Sequence, residues 1–461
     1  MNAPLGLLYL AAVLEKSGYE VKVVDAECLR YTWEDLREKL RSEMPDIVGV
    51  TSTTFSYMAL RKTVKIARET LPNSKILIGG PHVTALPLVS LVENPDVDVA
   101  VIGEGEQTIV EVMKAIEQNQ SPPMVDGIAF RHNSTTFFTS KRMPIQNLDS
   151  IPFPARHLLE PDMNAYRGNE PLAYKPEPVM LMSRGCPHRC VFCSSPVFGH
   201  QKTRYRTPKN IVDEIEQLHE KYGVRSIFIY DDETVGMSDF QNNWVMQVCD
   251  EIISRGLNGI SYKCQGRCSP YVKLEVFKKM KEAGFNRIMF GVESGSQKVL
   301  DAIKKDITLE GIVEAFRLTR LAGIKSLAFV MVGNLSETQE DVEQTKLLLR
   351  KIKPDYVQVN VATPLPSSEL WDIAIAKNWI SVNDFSKYYM INPVSSTDWM
   401  SPEEMVKMKR MLEFEGLQFT VKTGIKEAFE SLDGLKRLPQ RVSRLIKILF
   451  AKGEVWKDFW E

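Results

Sequence analysis

Apolar positions along the first 120 residues alternate between two periods. Leu7, Leu8, Leu10, Ala11 and Leu14 recur at helical spacing and predict a helix from Leu5 to about Lys16, which Ser17-Gly18 ends. Strands are predicted at Glu20 to Asp25, Ile47 to Thr51, Lys75 to Gly79 and Val97 to Ile102, with helices at Tyr57 to Leu71 and Glu106 to Gln118. Continuous Val and Ile runs between amphipathic helices are the pattern of a parallel sheet covered on both faces, so residues 1–125 read as a doubly wound α/β domain. Asp126 to Pro178 reads as a small hairpin and a proline-punctuated linker. Beyond it six runs read as strands: Val179 to Met182, Ser226 to Tyr230, Ile260 to Cys264, Arg287 to Gly291, Ser326 to Val332 and Tyr356 to Val361. Helical segments separate them, so residues 179–375 are expected to form a partial six-unit parallel barrel with its chemistry at the carboxyl strand ends. Residues 376–461 are expected to be mostly helical, with Leu445 to Trp460 as a packed terminal helix or, alternatively, a surface-binding one.

Length and charge narrow this picture. A chain of 461 residues suits two to four domains at about 100 to 200 residues each. Lys and Arg total 58 against 59 for Asp and Glu, and the first 125 residues carry 12 basic against 17 acidic side chains, so no basic field points to nucleic acid. The longest apolar-leaning uncharged run, Ile76 to Val92, is broken by two glycines and two prolines, so no membrane span is expected. No basic segment precedes an apolar one at the amino terminus, and the cytoplasm is the expected compartment.

Three of the seven cysteines lie within eight residues, in Cys186-Pro-His-Arg-Cys190-Val-Phe-Cys193. In a reducing compartment such clustering points to metal. Thiolates spaced by three and then two residues on one loop can converge on a 4Fe-4S cubane, which takes four ligands, so one iron is left open to an exogenous chelator. The competing readings are a zinc site completed by His188 or His200, although no second cysteine pair follows at finger-like spacing, and three unconnected buried thiols.

The Cys-x3-Cys-x2-Cys motif with Phe192 before its last cysteine resembles the radical S-adenosylmethionine (SAM) enzymes. That resemblance implies a 4Fe-4S cluster on Cys186, Cys190 and Cys193, SAM chelated at the open iron, and reductive cleavage to a 5′-deoxyadenosyl radical, with an external electron donor of flavodoxin or ferredoxin type. Tyr230-Asp231-Asp232-Glu233 looks like the family segment that meets the SAM amino group, and Arg267 is the partner implied for its carboxylate. Gly291-Val292-Glu293-Ser294-Gly295-Ser296 resembles the segment beside ribose and methionine, and Met331-Val332-Gly333-Asn334 the backbone beside adenine.

The first domain resembles the cobalamin-binding module that precedes the barrel in one large subclass. The resemblance is carried by Pro4 to Leu10, by Val24-Asp25-Ala26-Glu27 and Gly49-Val50-Thr51-Ser52-Thr53-Thr54, and by Gly79-Gly80-Pro81-His82 and Gly103-Glu104-Gly105-Glu106. Asp25, Thr51, Ser52, Thr53, Gly79, Gly80, His82, Gly103, Glu104 and Gly105 are the implied cobalamin residues. None of the six histidines sits in the Asp-x-His-x-x-Gly pattern that places a histidine below cobalt. The family opens with a strand and a proline-bearing loop, whereas this chain starts inside that loop, so a central strand is expected to be missing and cobalamin affinity to suffer. What the resemblance implies is a cobalamin-dependent radical SAM methyltransferase acting on an unactivated carbon of a small-molecule or lipid substrate, through the deoxyadenosyl radical and methylcobalamin. An oxidative cyclase or rearrangement enzyme of the porphyrin cyclase kind and a non-catalytic cofactor-binding protein are the alternatives. Cys264 and Cys268 flank Arg267 as hydrogen donor, further ligand or small buried hydrophobe, the last being the expected role.

Overall fold

The computed structural model describes residues 2–120, 124–132, 135–166, 174–198 and 202–429. His200 and the basic tail Leu445 to Trp460 lie outside the described residues. Two larger sheets organise the chain. The first contains β1 (Ile47–Thr51), β2 (Lys75–Gly79), β3 (Val99–Val101), β4 (Ile128–His132) and β5 (Thr135–Phe138), in that spatial order. Its first three strands are parallel, with Val48 beside Ile76 and Leu77 beside Val99, and its last two add antiparallel. The predicted hairpin is therefore no linker: it extends the first sheet, because Ile128, Ala129 and Phe130 are buried and pair with β3.

The segment predicted as a strand at Glu20 to Asp25 makes no ladder. A strand exists only through a neighbour's backbone groups, and among the described residues the one ladder of β1 is with β2. The first helix, Leu5–Lys16, also departs from expectation. Leu8, Ala11 and Ala12 belong to the same apolar cluster as Met180, Ile211 and Ile229 of the second domain, so this helix is a wedge between the two domains.

The second sheet follows the sequence reading closely. It contains β6 (Val179–Met180), β9 (Ser226–Ile229), β10 (Ser261–Gly266), β11 (Phe285–Glu293), β12 (Lys325–Val332) and β13 (Tyr356–Val361), all parallel and in sequence order across the sheet. Strands buried on both faces carry continuous apolar runs, such as Ile288 to Phe290. Thr207, Ser238, Thr308, Thr338 and Ser368 accept backbone N–H groups at the starts of the helices between and after these strands, which fixes where each helix leaves its loop. Between β6 and β9, β7 (Ser183–Arg184) pairs antiparallel with β8 (Arg204–Tyr205), forming a two-rung clasp at the neck of the cysteine loop.

Residues 377–401 are largely irregular, not helical: Asn378, Asn383, Asn392 and Pro393 favour turns, and only a short 3-10 turn, Phe385–Lys387, forms there before the helix Pro402–Phe429. That stretch crosses to the first domain. Phe385 lies edge-on to Tyr57 and His82, and Tyr389 stacks on Phe55 at 4.8 Å. Among the described residues no helix is long and apolar enough to cross a membrane.

Candidate cofactor sites at two sheet ends

The cysteine loop hangs from the clasp and is sewn to the far side of the barrel mouth. Val191 N–H donates to the Ile303 carbonyl at 3.0 Å, and the Val191 carbonyl accepts Leu370 N–H at 2.9 Å. Within the loop Cys193 N–H donates to the Cys190 carbonyl at 3.0 Å, and Ser195 N–H approaches the Cys193 sulfur at 3.4 Å. All three thiols are free and half-buried. Burial, with Glu233 nearby, pushes the Cys186 thiol up to about 12, and burial also raises Cys190. A bound cation reverses that balance, since thiolate is the metal-binding form. Soft sulfur donors on one loop, with a backbone N–H already aimed at sulfur, fit an iron-sulfur cluster.

His188, read from sequence as one ligand of a competing zinc site, points to Glu233, Nε2 to Oε2 at 3.2 Å, and its donor atom lies within 4.8 Å of those of Cys186 and Glu233. From there a chain of buried charges runs round the mouth. Glu233 Oε1 meets Arg267 at 3.2 Å, Arg267 also bonds the Lys305 carbonyl, and Lys305 Nζ meets Glu293 at 2.8 Å. Glu233 has no role in the sequence reading beyond membership of the Tyr230 to Glu233 motif, and Lys305 has none at all. The signal for Lys305 is spacing, a cation twelve residues beyond Glu293, and spacing alone does not show that a loop folds it back.

Several residues assigned to SAM by resemblance are placed differently. Asp231 is fully buried and accepts Met182 N–H and the Ser183 hydroxyl, both at 2.7 Å; it ties β9 to the start of the loop, and burial pushes its carboxyl up to about 7. Arg267 is spent on Glu233 and Lys305 instead of facing open space. Ser294 is buried against Thr345 and accepts Ser296 N–H. The Gly333 and Asn334 N–H groups both go to Glu337, so that segment offers no free N–H at those two positions. Glu293 is committed to Lys305. Phe192 is partly buried between two apolar clusters, with Lys305 Nζ 5.8 Å from its ring centre. Tyr230 and Asp232 remain open to solvent at the end of β9, and Asp232 lies 3.4 Å from the Ser195 hydroxyl. Cys264 and Cys268 are fully buried, and burial raises both thiols, which leaves them as small apolar groups.

The carboxyl end of the first sheet is built from other materials. Gly80 adopts φ +95°, and a Cβ there would meet Thr51 Oγ1 at 2.4 Å and the Ser52 carbonyl at 2.8 Å. This lets the chain pass from β2 into the short helix Pro81–Ala85, with His82 N–H on the Ser52 carbonyl at 3.2 Å. His82 is fully buried, stacked on Tyr57 at 4.0 Å, and burial pushes its pKa down to about 4. Its Nε2 and the buried Ser52 hydroxyl have no hydrogen-bond partner. Two orphaned polar atoms at one strand end fit a ligand rich in hydrogen-bonding groups, such as the nucleotide tail of cobalamin. Thr51 is exposed at the end of β1, and Gly79 ends β2. Thr53 bonds Ser56, Asp25 caps Cys28 N–H, and Gly103 N–H donates to Thr84 at 3.1 Å. Gly105 starts the helix Gly105–Glu117, with Leu10 packed 3.0 Å from where its Cβ would stand.

The Glu104 side chain faces the second domain instead of open space at the strand end. Its carboxylate bonds Arg204 at 2.8 Å, Arg184 at 3.4 Å and Ile145 N–H at 2.7 Å, while Arg184 also pairs with Glu106 at 2.6 Å. Burial alone would raise the Glu104 carboxyl; the two guanidiniums and the N–H outweigh it and hold it below its ordinary value. One acidic loop of the first domain thus grips both strands of the clasp. Just past Cys193, the turn Ser195–Phe198 packs on the helix Pro81–Ala85. The two candidate cofactor sites are neighbours.

Comparison with known proteins agrees with both halves. The B12 binding domain family matches residues 2–113 and the Radical SAM superfamily residues 180–349. The chain is 32% identical over 427 residues, 93% of its length and 90% of the relative's, to the uncharacterized methyltransferase PH0819 of Pyrococcus horikoshii. The chain is a B12-binding radical SAM enzyme. An anaerobic magnesium-protoporphyrin IX monomethyl ester cyclase of Cereibacter sphaeroides is also 32% identical, over 414 residues covering 87% of this chain and 65% of that protein. Among solved structures the cobalamin-dependent SAM radical enzyme OxsB, with aqua-cobalamin and SAM bound, aligns over 99% of this chain and 72% of its own, with TM-score 0.74 at 15% identity, a likeness of fold. As a member of this family the radical SAM enzyme uses a 4Fe-4S cluster, SAM and cobalamin.

Proposed function

We propose that this radical SAM enzyme is a C-methyltransferase acting on an unactivated carbon. The observation that carries the reading is the contact between the turn following Cys193 and the helix that bears His82, which brings the two cofactor sites together. Resemblance to a protein named a methyltransferase over nearly its whole length supports it. When bound, the cluster with SAM supplies a carbon-centred oxidant and cobalamin supplies a methyl carrier.

The chain's own residues supply position. Cys186, Cys190 and Cys193 would hold the iron-sulfur cluster through their thiolates. Asp232 and Tyr230, open at the end of β9, are the groups free to meet a charged or polar part of SAM, in place of the committed Asp231 and Arg267. Ser52 and His82 present a hydroxyl and a ring nitrogen to cobalamin, and Gly80 admits the backbone close to it. The segment carrying Phe385 and Tyr389 packs aromatic rings on Phe55 and His82 at the outer side of the first sheet's end. The proposal takes a small-molecule or lipid substrate, a low-potential protein electron donor and a cytoplasmic location, which suits seven unpaired cysteines.

Anaerobically reconstituted protein is the test. With SAM, cobalamin and a substrate, methyl transfer yields S-adenosylhomocysteine and 5′-deoxyadenosine in equal amounts with a product heavier by one methylene. Deoxyadenosine without S-adenosylhomocysteine overturns it. Equal identity to the cyclase favours oxidative ring closure as the second reading, and a product mass lowered by hydrogen loss or unchanged in formula assigns that instead.

A further inference from the structure

Lys305 is the least expected charge in the molecule. It is buried, and it sits in the loop between the helices Gln297–Ala302 and Leu309–Leu321 with its ammonium over Phe192, between two cluster ligands in sequence. Three departures from ordinary backbone serve its pairing with Glu293. Lys304 and Asp306, on either side, have φ of 53° and 52°, and Glu293 has 63°, all in the left-handed region that non-glycine residues rarely enter. The β11–β12 register shifts between Gly291 and Glu293. A Cβ on Gly291 would stand 2.5 Å from Glu293 Oε1 and 2.7 Å from Lys305 Nζ, so glycine there makes room for the ion pair. Strained residues persist where the surroundings enforce them, and they cluster at functional sites. The same loop is the anchor of the cysteine loop, through Ile303 to Val191 and through the Lys305 carbonyl to Arg267.

We propose that Lys305, held by Glu293, is a positioning residue that sets the reduction potential of the cluster bound at Cys186, Cys190 and Cys193. The argument rests on the iron-sulfur part of the functional reading, not on methyl transfer. Reduction adds a negative charge at the cluster site. A cation fixed over Phe192, between Cys190 and Cys193 in sequence, in a desolvated mouth favours that extra charge, because Coulomb energies there are several times those in water. Lys305 does interact electrostatically with Cys190, and Glu293 partly offsets it. The two side chains therefore push the potential in opposite directions.

The experiment is a dithionite titration of anaerobically reconstituted full-length protein without SAM, followed by electron paramagnetic resonance, on wild type, Lys305→Met, Lys305→Arg and Glu293→Gln. Expected are a lower midpoint in Lys305→Met by about 60 mV or more, a tenfold change in a one-electron equilibrium, a higher midpoint in Glu293→Gln, and a near-normal value in Lys305→Arg. Unchanged midpoints overturn the inference, and so do shifts of one sign in both Lys305→Met and Glu293→Gln, which mark a structural disturbance. If Lys305→Met holds no cluster, Glu293→Gln decides: a rise supports the inference and no change overturns it. A wild type that takes up no iron-sulfur cluster sinks both this inference and the functional reading, whereas normal methyl transfer with unmoved midpoints sinks this one alone.

Discussion

The two sheet ends solve the same problem, holding a cofactor, with opposite chemistry. At the second sheet the mouth is lined by charged groups set against one another, Glu233 with Arg267 and Lys305 with Glu293, while His188 Nε2 and Glu233 Oε2 face each other at 3.2 Å without a formed hydrogen bond. At the first sheet the packing is mostly uncharged, with Tyr57, Phe385 and the buried ring of His82 set against one another, and among the described residues the Ser52 hydroxyl and His82 Nε2 are left unsatisfied. A preformed charge frame suits a small ionic ligand set whose geometry must be fixed before loading, because ion pairs lock side chains at cost in desolvation. Unsatisfied polar atoms amid aromatic packing suit a large ligand that supplies the missing partners itself. Glu104 joins the two ends by gripping Arg184 and Arg204 of the clasp.

The sharpest way to break the contrast is at sulfur. Cys190→Ser is expected to abolish the cluster, seen as loss of iron and of the brownish charge-transfer absorbance, while cobalamin uptake by the first domain persists. If cobalamin binding vanished too, the two sites would not be separate units. Next in size is Glu104→Gln, which leaves two largely buried arginines short of a carboxylate. Breaking a buried ion pair costs about 3 to 5 kcal/mol, and the loss is to be read by urea unfolding with probes in both domains; a change below about 0.5 kcal/mol would deny Glu104 its role as the joint.

The mostly uncharged end of the first sheet predicts a pH dependence of its own. The folded value for His82, about 4, lies below its ordinary 6.5 because the ring is desolvated. The unfolded chain therefore binds more protons between those values, so stability is full above pH 6.5 and falls as the pH drops toward 4, by roughly 3 kcal/mol in all. His82→Phe, which keeps the stack on Tyr57, is expected to flatten that part of the profile; an equally steep profile in the variant assigns the loss to other groups. The smallest effect is expected from Gly80→Ala. A Cβ in a left-handed turn against Thr51 and Ser52 costs about 1 to 3 kcal/mol, and equilibrium dialysis is expected to show weaker cobalamin binding with the cluster intact.

Legibility in the sequence followed how local the cause was. All six strands of the second sheet were readable from their apolar content, most plainly β11 and β12, whose runs Ile288 to Phe290 and Ala328 to Val332 are apolar and which differ from expectation only at their ends. The three cysteines were readable as a set because their spacing is contained within eight residues. The segment Glu20 to Asp25 misled because a strand pattern states a preference and not a partner. The hairpin at residues 128–138 was readable as a hairpin but not as the continuation of the first sheet, since the pairing with β3 depends on a contact across an intervening helix.

Asp231 and Arg267 teach the same lesson at the site. Sequence placed both at strand ends beside the cysteine loop, and that is where they lie. Whether a charged group at a strand end faces a ligand or a neighbour depends on the direction of its side chain and on what folds over it. For Asp231 that is the backbone of Met182, and for Arg267 it is the loop bearing Lys305, which lies 38 residues further along the chain. The order of elements, the clustered cysteines and the family were thus determined by the sequence by itself, through periodicity and short-range spacing. Only the tertiary structure decided which charges pair, which polar atoms stay free, and that the first helix and the stretch around Phe385 belong to the seam between domains, because those outcomes rest on burial and on contacts between residues far apart in the chain.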